Sequence, residues 1–118
     1  MKTLVIGASE RTTRYSNLAI RMLRDHGYEV EAVGLREGIV WDVPIQTGKP
    51  PLDDVDTVTL YVGTNRQDDL VDYVLNLKPR RVIFNPGTEN PDFEKKLQAA
   101  GIETEEACTL VLLSTGQF

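Results

Sequence analysis

Short runs of β-forming apolar residues alternate along this chain with segments of helical periodicity, and this alternation constrains the fold more than any other feature. Strand and helix in turn are typical of a parallel sheet whose strands are joined by crossover helices. The 118 residues have the length of a single domain. We therefore predict one α/β domain over residues 1–118, a three-layer sandwich with a central parallel sheet of about five strands and helices on both faces. The strands are expected at residues 3–6, 28–33, 56–62, 81–84 and 102–104.

Residues of the capping types mark the ends of the predicted helices. Ser16, Asn65 and Asn90 suit helix N-termini, and Pro91 suits the first helical position. Gly27 follows the first helix as its C-terminal stop. The helices are expected at residues 16–26, 65–77, 91–100 and 109–114.

Residues 35–54 interrupt the alternation because prolines break the helical pattern there. A short strand is expected near residues 39–43. Trp41 in this segment can stack on a nucleotide base, although a lone tryptophan in an irregular segment is more often a packing residue.

The acidic composition excludes some classes of function. The formal net charge is −5 at pH 7, which argues against general nucleic-acid binding, because such binding depends on Lys and Arg neutralising phosphates. No apolar run approaches the roughly 18 residues that cross a bilayer. The N-terminus lacks the basic leader and apolar core of a signal peptide. We expect a cytoplasmic protein with no nucleic-acid or membrane partner.

Few side chains offer catalysis. Cys108 is the only cysteine, and His26 is the only histidine. His26 is expected at the far end of the first helix, away from the strand ends where ligands bind. Glu105 and Glu106 make Cys108 a weak nucleophile. No metal-ligand spacing stands out, so the sequence predicts no catalytic residue, no metal site and no enzymatic activity.

A glycine closely follows each of the first four predicted strands: Gly7, Gly34, Gly63 and Gly87. In an open α/β sheet, the carboxyl ends of the strands form the ligand crevice. Glycine there lets a backbone amide approach a ligand, although glycines also punctuate ordinary turns. Four of them on one expected edge favour a binding crevice.

The loop after the first strand is the main candidate for phosphate binding. The dinucleotide fingerprint G-x-G-x-x-G, counted from Gly7, is absent because Ser9 and Thr12 stand where glycines are required. Backbone amides, a hydroxyl and a helix N-terminus can still hold a pyrophosphate, and arginines can add bidentate contacts. The candidate residues are Gly7, Ala8, Ser9, Arg11, Arg14 and Ser16, with Ser16 mainly a helix cap.

The end of the second strand distinguishes between nucleotides. NAD enzymes place Asp or Glu there to bind the ribose hydroxyls, whereas this chain has Gly34, Leu35 and Arg36. Arg36 suits a phosphorylated ribose, as in NADP or coenzyme A (CoA), and equally suits an exposed surface without a ligand.

Later strand ends can line the rest of the crevice. Gly63 and Thr64 follow the third predicted strand, and Asn85 and Gly87 follow the fourth. Asn85 precedes a proline and is therefore held extended, so that its side chain can hydrogen-bond a ligand.

Several blocks of sequence, in order, resemble the small stand-alone CoA-binding-domain proteins of bacteria. These are similar to the Rossmann-like N-terminal domain of the succinyl-CoA synthetase alpha subunit. The resemblance implies a Rossmann-like fold and binding of CoA through its nucleotide half. It implies that Gly7, Ala8 and Ser9 meet the pyrophosphate, that Arg14 and Ser16 flank it, and that residues 62–64 and 85–87 line the rest. The blocks are Val5–Ser9, Arg14–Ser16, His26–Val30, Val55–Val58, Ala100–Glu103 and Ala107–Thr109, which together cover most of the chain.

Two positions depart from the family pattern. The family has Val-Asn-Pro after the second strand and Gln-x-Gly after the fourth, where this chain has residues 33–35 and 85–87. The larger relatives use a phosphohistidine supplied by another domain, so ligase activity is not implied. The sequence predicts non-catalytic binding of CoA or an acyl-CoA, as a sensor or regulatory module. The alternatives are an NADP-binding oxidoreductase-like domain and an interaction domain that has lost ligand binding.

Overall fold

The structure, a computed structural model, describes residues 1–118 and contains seven strands and four α-helices. Two 3-10 turns, Thr64–Arg66 and Asp68–Leu70, precede the second helix. None of the helices has the length and apolar composition needed to span a membrane. The elements are β1 (Lys2–Ala8), α1 (Tyr15–Asp25), β2 (Glu29–Gly34), β3 (Gly38–Val40), β4 (Val43–Gln46), β5 (Val55–Leu60), α2 (Val71–Leu77), β6 (Arg81–Phe84), α3 (Pro91–Ala99), β7 (Glu103–Glu106) and α4 (Thr109–Ser114).

All strands form one sheet in the order β3-β4-β2-β1-β5-β6-β7. Neighbouring strands are parallel except β3 and β4, which form an antiparallel hairpin. Numbered along the chain, the parallel strands alone have the order 3-2-1-4-5-6, which is also the order of doubly wound sheets that bind dinucleotides. In such sheets the ligand lies at the carboxyl ends of the strands, where the order reverses. In this sheet, the reversal lies between β1 and β5.

The sheet buries both of its faces. Along β1, Leu4 and Ile6 pack on one side and Val5 packs on the other, as the two-residue period of a strand requires, while Ala8 joins the side of Val5 because the strand register shifts between Ile6 and Ala8. The first side is covered by α2 and α3, and the second by α1 and α4. The molecule therefore has three layers, and its parallel strands end at one common edge, called the carboxyl edge below. The opposite edge is the amino edge.

The sheet has seven strands rather than about five. The difference arises mainly within residues 35–54, where the expected short strand is a hairpin of β3 and β4. These strands have three and four residues. Periodicity over so few residues does not distinguish a strand from a loop.

Two of the three predicted N-caps are wrong. The N-cap of α1 is Arg14, so Ser16 is the second helical residue and is buried. Asn65 lies in the first 3-10 turn, and α2 begins only after both turns. Asn90 does cap α3, since its Oδ1 accepts a hydrogen bond from the Phe93 N–H at 3.2 Å. A residue of a capping type therefore marks a helix start at Asn90, but not at Ser16 or Asn65.

Candidate functional site

The carboxyl edge brings together the loops that follow β1, β2, β5 and β6. The strand register determines this, because Ala8 lies opposite Gly34 and Ile6 lies opposite Leu60. Leu60 in turn pairs with Phe84 at the end of β6. The candidate residues on these loops therefore all lie along the carboxyl edge, and the space above these strand ends is called the crevice below.

Two glycines at this edge are required by the packing of the strands. Gly7 has a φ of +96°, and a Cβ there would lie 2.8 Å from the carbonyl group of Tyr61. A Cβ on Gly34 would overlap the carbonyl oxygen of Ala8. Both positions need glycine whether or not a ligand binds, because a side chain would push neighbouring strands apart. Their presence in the sequence is therefore not by itself a sign of a ligand.

The first loop, residues 9–14, is shaped by its own hydrogen bonds. The Ser9 hydroxyl accepts from the Arg11 N–H at 3.1 Å, and the Arg14 N–H donates to the Arg11 carbonyl at 3.1 Å. Asn17 of α1 donates its Nδ2 to the Ser9 carbonyl at 2.9 Å. Sequence reasoning missed Asn17, which holds the loop against the start of the helix.

Arginine side chains at the carboxyl edge have no partner in the protein. Arg11, Arg14 and Arg36 are exposed, and their guanidinium groups make no hydrogen bond or ion pair. Arg66, in the loop after β5, is equally free. Free guanidinium groups are the donors that phosphates prefer. The remaining arginines, Arg21, Arg24, Arg80 and Arg81, all bind oxygen atoms of the protein.

Gln67 joins the loops that follow β5 and β6, and it is fully buried. Its Nε2 donates to the carbonyl oxygens of Val62 and Thr88, both at 2.8 Å. Its Oε1 accepts from the Asn90 side chain at 3.0 Å. Sequence reasoning missed this residue because it placed Gln67 on a helix, and nothing in the local pattern indicates that a glutamine is buried.

Thr64 and Gly87 lie on the rim of the crevice and are bonded to Glu89. The Thr64 hydroxyl donates to the Glu89 carbonyl at 2.6 Å, and the Gly87 N–H donates to the Glu89 carboxylate at 2.9 Å. Gly63 starts the turn that carries Thr64. The Thr64 hydroxyl can still accept a hydrogen bond from a ligand. The Gly87 N–H can donate to a ligand only if its hydrogen bond to Glu89 breaks.

Asn85 is only 2 % exposed, and its whole side-chain amide is used by the protein. Its Nδ2 donates to the Thr59 hydroxyl at 2.7 Å and to the Leu60 carbonyl at 2.8 Å. Its Oδ1 accepts from the Thr109 N–H at 2.9 Å. The amide thus attaches the start of α4 to β5. The sequence predicts that Asn85 hydrogen-bonds a ligand, whereas in the structure its side chain bonds to the protein.

A pocket of about 290 Å³ lies beside Asn85, at the ends of β5, β6 and β7. The hydroxyl of Tyr61, one of its walls, is buried without a hydrogen-bond partner, and this burial raises the pKa of Tyr61 to about 12. The nearby Thr59 and Thr109 hydroxyls bond to each other at 2.8 Å and oppose the shift only in part. The pocket has no charged side chain, so it suits an apolar part of a ligand. Its lining is Tyr15, Tyr61, Asn85, Pro86, Cys108 and Leu110.

Two residues considered from the sequence lie at the amino edge, away from the crevice. His26 ends α1, with its Nδ1 at 2.7 Å from the Met22 carbonyl. Trp41 lies in the turn between β3 and β4 and is 58 % exposed. The next residue, Asp42, binds Arg24 near the end of α1. Trp41 therefore neither packs in the core nor reaches the crevice.

The carboxylates of the molecule do not converge on a metal site. No group of three or more His, Cys, Asp and Glu side chains is arranged to hold a metal ion. Glu94 of α3 has one buried oxygen without a hydrogen-bond partner. Burial raises the pKa of Glu94, and the neighbouring Glu106 raises it further.

The sequence matches a known family along almost its whole length. The model of the CoA binding domain family matches residues 1–114. The chain belongs to this family. No curated protein matches the chain significantly.

Solved structures share the fold of this CoA-binding domain. An uncharacterized protein is 48 % identical, with a TM-score of 0.96 over 99 % of this chain and 97 % of its own. A protein from Thermus thermophilus is 24 % identical, with a TM-score of 0.83 over 99 % of this chain and 90 % of its own. A hypothetical protein from Pyrococcus horikoshii OT3 is 23 % identical, with a TM-score of 0.86 over 96 % and 81 %. The last two likenesses show the fold alone.

The carboxyl edge fits the chemistry of the family's ligand. CoA consists of an adenosine with a phosphorylated ribose, joined through a pyrophosphate to a less polar arm. The free arginines Arg11, Arg14 and Arg36 offer donors for phosphates, and the uncharged pocket beside Tyr61 offers a wall for the arm. Family membership thus supports CoA binding in general.

Proposed function

We propose that this CoA-binding domain binds CoA or an acyl-CoA through its nucleotide-pyrophosphate part and acts as a sensor or regulatory module, without catalysis. The set of unpaired arginines at the carboxyl edge carries the proposal. In a chain of net charge −5, carboxylate partners are plentiful, so free arginines on one edge favour an anionic ligand there. The strand order supports a Rossmann-like fold with its ligand at this same edge.

The pyrophosphate is expected at the first loop. The backbone after Gly7 leads there through Ala8 and Ser9, and the first turn of α1 presents N–H groups with the positive end of the helix dipole. Ser16 contributes from this turn through its backbone, because its side chain is buried. Arg11 and Arg14 are free to bind the phosphate oxygens in bidentate fashion.

The phosphorylated ribose is expected beside Arg36, in the loop after β2. Gly63, Thr64 and Gly87 form the rim over which the rest of the ligand passes toward the pocket. The pocket volume of about 290 Å³ accommodates the end of the arm and a small acyl group.

The absence of chemistry is supported by where the candidate acids and bases lie. His26 is at the amino edge, bonded to Met22. The side-chain amide of Asn85 is used by the protein, and the Tyr61 hydroxyl is a weaker acid than usual because burial raises the pKa of Tyr61 to about 12. General acid–base catalysis needs a group within hydrogen-bond reach of the substrate. His26 and Asn85 do not offer one. Tyr61 and Cys108 line the pocket, but the Tyr61 hydroxyl keeps its proton at neutral pH, and the neighbouring Glu105 and Glu106 make Cys108 a weak nucleophile.

Isothermal titration calorimetry with CoA, dephospho-CoA, NADP and NAD tests the proposal. We expect CoA to bind, Arg36→Ala to weaken CoA and NADP more than dephospho-CoA, and Arg11→Ala with Arg14→Ala to weaken every pyrophosphate ligand. Lys95→Ala, an exposed cation on α3, is the matched control and is expected to change nothing. A ligand at 100 times its dissociation constant stabilises the fold by about 2.7 kcal/mol. Thermal unfolding with each nucleotide at millimolar concentration measures this stabilisation. If none of the nucleotides raises the melting temperature, the proposal is contradicted and an interaction domain without a ligand is favoured.

The free Arg36 and the strand order also favour a second candidate, an NADP-binding oxidoreductase-like domain. This function predicts tighter binding of NADP than of CoA. It also predicts a change in the nicotinamide absorbance when a reducible substrate is added. Equal or weaker NADP binding with no absorbance change argues against it.

A further inference from the structure

The Glu10 side chain crosses from the first loop to the start of β3. Its Oε2 accepts a hydrogen bond from the Ile39 N–H at 2.9 Å, between residues 29 positions apart. The carboxylate lies against the backbone of Gly38, where a Cβ would overlap the Glu10 side chain. With the carboxylate in this position, residue 38 has no room for a Cβ, and the hydrogen bond to Ile39 holds the carboxylate against the start of β3.

The Glu10 carboxylate lies beside the loop after β2, because Gly38 and Ile39 begin β3 directly after residues 35–37, although β4 lies between β3 and β2 in the sheet. The first loop, which carries Glu10, starts where Ala8 pairs with Gly34, the last residue of β2. In dinucleotide-binding sheets, the ribose lies between the first loop and the end of the second strand, where a carboxylate accepts its hydroxyls. Here Glu10 brings a carboxylate to that side from the first loop, while the loop after β2 supplies Arg36.

The charge of Glu10 is not neutralised by a neighbour. No ion pair of the protein includes Glu10, although Arg11, Arg14 and Arg36 are free at the same edge. The carboxylate binds a neutral backbone N–H instead. A phosphate that approaches the ribose side of the crevice thus meets Arg36 as an attraction and Glu10 as a repulsion.

We propose that Glu10 is a specificity-determining residue. Bonded to Ile39, its carboxylate disfavours a phosphate on the ribose, so the protein binds CoA only when the Glu10–Ile39 bond opens. Dephospho-CoA, which has free ribose hydroxyls, binds with this bond closed. The inference rests on the proposed function, because it assigns the selectivity of the same crevice.

Calorimetry on Glu10→Gln with CoA and dephospho-CoA tests the inference. The glutamine keeps the length of the side chain and can accept from the Ile39 N–H, but it removes the charge. We expect the CoA affinity to rise about tenfold, as removal of a like charge at short range predicts, while the dephospho-CoA affinity changes less than about twofold. Glu37→Gln, on an exposed glutamate in the loop after β2, is the matched control and is expected to leave the CoA to dephospho-CoA ratio unchanged.

Hydrogen exchange at the Ile39 amide gives a second, independent readout. We expect CoA to speed exchange of this amide in the wild-type protein, and dephospho-CoA to leave it protected. Equal affinity changes for both ligands in Glu10→Gln, or the same change of ratio in Glu37→Gln, overturn the inference while CoA binding stands. Failure of both ligands to bind any of these proteins overturns the proposed function and the inference together.

Discussion

Gly34 lies where the ends of β1 and β2 approach each other. The two strands can come this close because glycine has no side chain. A Cβ there would overlap the Ala8 carbonyl oxygen, which is backbone and cannot rotate away. In the sequence, Gly34 and Gly63 look alike, since both follow a strand. In the structure, a Cβ on Gly63 meets only the Asn65 side chain, at 3.4 Å. Single residues of one type at one edge thus have different physical roles.

Gly34→Ala is expected to destabilise the protein by about 3 kcal/mol, because the two strands must separate to admit the methyl group. Urea unfolding followed by circular dichroism measures this loss. Gly63→Ala is the matched control and is expected to cost less than about 1 kcal/mol, since it creates only an ordinary contact. Equal losses of stability in the two variants would show that residue 34 can carry a side chain without separating the ends of β1 and β2.

At the scale of elements, Gln67 links two loops that the sheet itself leaves separate. Its bonds to the Val62 and Thr88 carbonyls and to the Asn90 side chain connect the end of β5 with the start of α3. The same bonds explain why residues 64–70 form 3-10 turns and why α2 begins late. The buried Gln67 amide therefore holds the rim of the crevice together with the hydrogen bond from Thr64 to the Glu89 carbonyl.

Gln67→Ala is expected to cost about 3 kcal/mol, because it leaves two carbonyl oxygens and an amide without partners in a buried place. Urea unfolding measures the cost, and hydrogen exchange of residues 62–66 and 87–90 measures the loosening of the rim. Asn65→Ala, which removes an exposed side chain of the same loop, should stay within about 0.5 kcal/mol of the wild type. A loss for Gln67→Ala below that of the control would contradict the linking role.

On the scale of the whole molecule, the charges are distributed unequally between the two edges. At the amino edge, Arg80 binds the Asp56 carboxylate at 3.0 and 3.1 Å and approaches Glu103 at 3.5 Å. Arg24 binds Asp42 there in the same bidentate way. At the carboxyl edge, the arginines are unpaired. Ion pairs thus join β5, β6 and β7 at the amino edge, whereas arginine side chains at the carboxyl edge remain without protein partners.

The Asp56–Arg80 pair predicts an acid dependence of stability. The hydrogen bonds from Arg80 lower the pKa of Asp56 below its usual 3.8. A carboxyl whose pKa is lowered by folding contributes stability above its unfolded pKa, and this contribution is lost as the pH falls through the folded value. In Asp56→Asn, the free energy of unfolding should therefore fall less steeply below about pH 4 than in the wild type. Urea titrations between pH 6 and pH 2.5 measure the two slopes, and identical slopes would contradict the pair's contribution.

Local signals predicted most of the elements from the sequence. Residues 81–84 and 109–114 have the bounds expected of them, and Asn90 with Pro91 starts α3 as predicted. Apolar periodicity and capping chemistry act over a few neighbouring residues, so the sequence shows them directly. The hairpin of residues 38–46 was not predicted because its strands are too short to carry a pattern.

The sequence by itself determined the α/β class and the family, because each depends on residues close together or on an ordered set of local blocks, and it predicted the edge at which a ligand would bind. Only the tertiary structure decided which residues at that edge are free. In the folded protein, the side chains of Asn85 and Gln67 join separate elements. The arginines at positions 11, 14 and 36 have no partner, and Glu10 is bonded to Ile39. Such contacts join residues far apart in the chain, and their partners are set by the order of the strands in the sheet, which local periodicity does not encode.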